Sequence, residues 1–197
     1  MNLIRFIRNN NYFPLFIFAV SMGFLEAIVV VYIRELYYPE GFRFPLKELP
    51  PRLIVIEWVR EISTLFMLGS VAWLTGNNFL KRLSAFLFLF GIWDIVYYLG
   101  LRLFIGWPES LLTWDILFLI PITWVGPVLA PVLCSLLMIA MALLFDFRQM
   151  NNNLQNLKLK ELAFLFSGAA VIYFTFTVDF GMILINGNFL KDFFNLA

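Results

Sequence analysis

Residues 13–34 read FPLFIFAVSMGFLEAIVVVYIR. This run has the length of a bilayer-crossing helix, about 20 residues at 1.5 Å rise. It carries one acid, Glu26, before Arg34 closes it. A helix on the surface of a soluble domain would show a polar face, and none is present here. The preceding segment, MNLIRFIRNNNY, has the basic character of a signal peptide through Arg5 and Arg8. The apolar run is too long for one, however, and no small-x-small cleavage site closes it, so the first span is expected to be retained.

Similar runs follow at 53–75, 83–105 and 162–185. The stretch 110–147 is too long for one straight span and too short for two with a proper turn. Pro121, Gly126, Pro127 and Pro131 punctuate it, and proline removes a helical donor. The economical reading is a short re-entrant or interfacial helix at 110–120, a turn, and a span at 128–147. The expected fold is therefore all-α: a polytopic membrane protein with about five transmembrane helices, residues 1–197 forming a single integral membrane domain.

Composition agrees. The chain of 197 residues is 62% hydrophobic and 14% charged, whereas soluble domains are closer to half apolar and a quarter charged. A soluble fold of this size could not bury so much apolar surface. The net charge of +1 gives no electrostatic case for nucleic acid. The absence of histidine removes His-ligated haem and zinc and every Ser-His or Cys-His pair. Every lysine lies in a loop or at a segment end, which argues against a retinal Schiff base. No cofactor or metal is predicted. Cys134, alone in an apolar run, reads as a small buried hydrophobe.

Five crossings put the termini on opposite sides. With the N-terminus cytoplasmic, that side holds Arg5, Arg8, Lys81, Arg82, Arg148, Lys158 and Lys160. The other holds Arg34, Arg43, Lys47, Arg52, Arg102 and Lys191, a small positive-inside bias. A multi-pass protein of the cell membrane is the expectation. Tyr37, Tyr38, Phe42 and Phe44 suit interfacial anchors in the loop before Pro51. The polar stretch 148–160 is the most loop-like part of the chain.

The charges inside the spans carry the functional reading. Ionisable groups at mid-membrane cost several kcal/mol and generally face a protein interior or cavity. Glu26 lies in the first span, Glu57, Arg60 and Glu61 in the second, Asp94 in the third and Asp179 in the last. Helical rise from alternating ends places all six in the central or non-N-terminal half of the bilayer, with Arg34, Arg102 and Asp115 near that surface. Glu57, Arg60, Glu61 and Thr64 form one stripe at i, i+3, i+4 and i+7. Tyr97 and Tyr98 share the broad face of Asp94. Gly23 and Gly91 stand beside the acids, where small residues let helices approach. The expected binding cluster is Glu26, Glu57, Arg60, Glu61, Asp94, Tyr97, Tyr98 and Asp179, with Trp114 and Asp115 as a gate over it. The repeated triplets Trp93-Asp94-Ile95 and Trp114-Asp115-Ile116 are too short to establish an internal repeat.

A carboxyl group held this way can carry a proton, act as general acid or hold a hard cation. Three functions follow. One is a small transporter or channel-like protein for a cation, proton or small solute. Another is a non-catalytic subunit of a larger membrane complex, in which the network only specifies packing. The last is a membrane enzyme performing carboxylate acid–base chemistry on a lipid or isoprenoid. The partners implied are the lipid bilayer and either further copies of the chain or other membrane subunits.

Overall fold

The computed structural model describes residues 12–39, 50–120, 123–150 and 159–185, with the side chains of Pro51, Leu162 and 179–185 left aside. Arg5, Arg8, Phe42, Phe44, Pro121 and most of the 148–160 stretch lie outside the described residues.

Five long helices occupy the expected positions to within about one turn. They are α1 (Tyr12–Tyr37), α2 (Pro51–Thr75), α3 (Phe79–Ile105), α4 (Leu129–Met150) and α5 (Leu159–Ile185). Four of them, α1, α3, α4 and α5, are long and apolar enough to cross a membrane. The α2 helix is as long, 25 residues, but Arg52, Glu57, Arg60 and Glu61 lower its hydropathy.

Local chemistry sets the boundaries. Pro51 opens α2 at a position where its missing N–H is not needed. The Asn78 side chain caps α3 by accepting from the Lys81 N–H at 2.8 Å. At the other end Gly106, at φ 67°, turns the chain out and its N–H returns to the Arg102 carbonyl at 3.1 Å. Pro131 sits in the first turn of α4, where it breaks no helical bond.

The α3 helix is central and packs on α1, α2 and α4. The small residues do what their spacing implies. Gly23 on α1 backs onto Val96 and the Trp93 carbonyl of α3. A Cβ on Gly91 would lie 2.7 Å from the Ser135 carbonyl oxygen of α4. Around these contacts Tyr12, Leu15, Ala19, Met22, Phe88, Leu89 and Trp93 form one apolar cluster, while Ala27, Tyr98, Leu101 and Val128 form a second.

The short helix expected at 110–120 is not what the chain builds. Two antiparallel strands stand there, β1 (Trp114–Phe118) and β2 (Trp124–Pro127). Asp115 pairs with Gly126 and Ile116 with Val125, with an irregularity between Ile116 and Phe118. The ladder runs on through Val128 N–H to the Thr113 carbonyl at 3.0 Å and Leu129 N–H to the Leu111 carbonyl at 2.7 Å, into the start of α4. The physical reason lies in composition and in backbone bonding. Aromatic and β-branched residues dominate 113–125 and favour a pleated surface. A paired hairpin also satisfies backbone groups away from water, which an unpaired apolar segment does not.

Candidate functional site

The hairpin meets the helices at both root and tip. At the root, Asp115 is only 1% exposed. It accepts from Arg34 Nη2 at 3.1 Å and from the Tyr98 hydroxyl at 3.3 Å. Strand alternation turns its neighbour Trp114 outward, 53% exposed. Arg34 does not reach for the interface as its place near the end of α1 suggests. It is 6% exposed, and its guanidinium lies 3.7 Å above the Trp107 ring, a cation–π contact strengthened by burial. Arg102 holds the other side of the root by donating to the carbonyls of Gly106 and, at 2.9 Å, Pro108.

Beyond the strand, the Leu119 N–H donates to both oxygens of Glu61, at 3.2 and 3.0 Å. Glu61 lies ten residues into α2 from Pro51, roughly 15 Å from the start of that helix. On its other flank, Trp124 packs edge-on to Tyr173 and stacks with Phe176 of α5.

Beside the tip lies the ion-paired stripe of α2. Arg60 donates to Glu57 on its own helix, Nε at 2.9 Å and Nη2 at 2.8 Å, and its Nη1 pairs with Glu26 of α1. The Thr64 hydroxyl binds the second oxygen of Glu26. One guanidinium thus ties two acids on two helices, the use for which arginine's planar fork suits it.

Asp94 is arranged differently. On α3 it accepts from the Ser135 hydroxyl of α4 at 2.7 Å, and among the described residues no arginine or lysine is hydrogen-bonded to it. Tyr97 stands edge-on to Tyr98 at 4.9 Å and lies within electrostatic reach of Asp115, Arg34, Arg60 and Asp94. The acids therefore divide into adjoining groups around the tyrosine pair rather than one ion-paired network. Asp179 lies on α5, but its side chain is outside the described residues. The Trp-Asp-Ile echo has no structural counterpart, since Asp94 sits on a helix and Asp115 on a strand.

Sequence reasoning missed three partners: Ser135, the Leu119 backbone N–H and the Trp107 face. It also missed a polar cluster at the far end of the helices. There Asp146 of α4 accepts from the Tyr12 hydroxyl of α1 and from Lys81 Nζ of α3, each at 2.7 Å.

Among the described residues, no three acidic or cysteine side chains gather closely enough to share a metal ion. Comparisons with protein-family models, with curated proteins and with solved structures give no match to this chain.

Proposed function

We propose that this chain is a small transporter or channel-like protein of the cell membrane and that the species it handles is the proton. The observation that carries this reading is Asp94: a carboxyl group midway along an apolar helix, held by a serine hydroxyl. An ionised carboxylate there costs several kcal/mol, a cost relieved when it takes up a proton or cation. Uptake and release by such a group is the elementary step of transport. The wider site supports it, since among the described residues the five acids Glu26, Glu57, Glu61, Asp94 and Asp115 have two arginines paired with them, Arg34 and Arg60. Glu26 and Glu57 share Arg60, while Glu61, Asp94 and Asp115 are held by other donors, an arrangement that suits a proton better than a multidentate metal ion. In this reading α2 is a fifth crossing, its charges turned inward, and the N-terminus is cytoplasmic. The hairpin is re-entrant and seals the site from the opposite side.

Proteoliposomes with an internal pH dye and an imposed potassium-diffusion potential test this. Wild-type protein is expected to acidify or alkalinise the lumen according to the sign of the potential. Asp94→Asn should reduce the rate roughly tenfold or more, as loss of a proton-transfer group does. A wild-type rate equal to that of protein-free liposomes overturns the reading.

One observation favours a second reading, membership of a larger membrane assembly. The described contacts of α5 with the rest of the chain centre on the hairpin. Phe164, Phe166, Val171 and Phe174 remain exposed along it, an apolar face suited to lipid or to another membrane helix. Stable co-purification of a second membrane protein in mild detergent supports this alternative.

A further inference from the structure

Polar contacts recur along the seam between α3 and α4, set among the apolar side chains of Phe88, Leu89 and Ala142. Starting at the hairpin, it runs from Tyr98 with Asp115 to Asp94 with Ser135. It then passes Gly91 against the Ser135 carbonyl and Ile139, and Ser84 donating to the Ala142 carbonyl at 2.8 Å. It ends at Lys81 with Asp146. Asp94 and Lys81 are thirteen residues apart on α3, so the two ends of this run are separated by about 20 Å.

Asp146 is unusual among the acids of the far end. Its side chain is 4% exposed, and its Oδ2 takes both donors, Tyr12 and Lys81. Its Oδ1 is buried and has no hydrogen-bond partner among the described residues. Here one oxygen is saturated and the other is left open to a further donor. Lys81, at 19% side-chain exposure, links the group toward the aqueous end. Three helices, α1, α3 and α4, each contribute one side chain to this arrangement.

We infer that Asp146, positioned by Lys81 and Tyr12, is the second port of the proton route, loading or unloading at Oδ1 at the end of the seam opposite the hairpin. The step is a proton transfer alone: an O–H bond forms at Oδ1 as one breaks in water, and the reverse occurs on release. Between the ports the seam passes Leu89, Ile139 and Ala142 of the apolar cluster. This inference rests on the proton reading, and the experiment separates the two.

The proteoliposome assay is applied to Asp146→Asn, Asp146→Glu and the double variant Lys81→Met/Asp146→Asn. The double variant removes both charges together, so that no lone ammonium is left at the helix ends, and size-exclusion profiles confirm folding. Asp146→Asn, or the double variant where the single one does not fold, is expected to slow proton flux roughly tenfold or more. Asp146→Glu, which keeps an ionisable carboxyl group at this place, should retain most of it. Wild-type flux in a folded Asp146→Asn or double variant, while Asp94→Asn is inactive, overturns the second port and leaves the proton reading standing. Absence of flux in the wild type overturns both.

Discussion

Arg60→Ala is expected to lower stability by about 3–5 kcal/mol, the usual effect of removing one partner of a buried ion pair. The guanidinium holds Glu57 on α2 and Glu26 on α1, so its loss leaves two carboxylates crowded without a counter-charge. It also removes one polar tie between those two helices, leaving the Thr64 hydroxyl on Glu26. Arg34→Ala should cost a similar amount, because Asp115, 1% exposed, would lose its only ion-pair partner among the described residues and Trp107 its covering cation. Arg102→Ala should cost less. That side chain is exposed and its acceptors are backbone carbonyls that water can serve. Thermal melting of the three variants in one detergent gives the order directly. An Arg60→Ala midpoint equal to wild type removes the buried network from the account.

Glu61→Ala is the second large effect, about 1.5–3 kcal/mol for a hydrogen bond to a charged group. Its consequence should be local. The Leu119 N–H loses its acceptor, and the hairpin is left held by its root and by the Trp124 contacts with α5. Proteolysis should therefore speed up at the hairpin well before the helices open, since a locally released segment is cut without global unfolding. Glu61→Gln keeps an acceptor oxygen and should sit between wild type and Glu61→Ala. Equal hairpin cleavage in all three proteins would show that the contact does not hold the tip.

Both effects involve contacts that differ in how readable they are from residues alone. The helices were legible because a bilayer-length apolar run has few other solutions, and their ends fall where Pro51, Asn78 and Gly106 dictate. The stripe on α2 was legible because Glu57, Arg60 and Thr64 recur at helical spacing. The hairpin was not: apolar residues between prolines fit a broken helix and a strand pair equally by hydropathy. The signal that separates them is the run of aromatic and β-branched residues across 113–125. Glu61 bonds a backbone N–H, and no side-chain pattern encodes such a partner. The burial of Arg34 was not legible, because a basic residue near a helix end is ordinarily free to reach water, while its pairing with Asp115 depends on a strand not foreseen. The Tyr12–Lys81–Asp146 cluster escaped notice for the same reason, each member lying at the end of its own helix.

The account turns on a hairpin that enters the membrane from one side and closes a polar site between helices. Single cysteines in a Cys134→Ser background, at Trp107, Leu119 and Gly126, measure this directly through labelling from each side and quenching by lipids carrying quenchers at known depths. Leu119 is suited to the test because it contributes its backbone N–H to Glu61, so the side chain can be replaced without losing that bond. The account predicts that positions 107 and 126 label from the same side and that a probe at 119 is reached by deep quenchers but not by water-soluble reagents. Labelling of 107 and 126 from opposite sides, or free aqueous access to 119 from the N-terminal side, would contradict it.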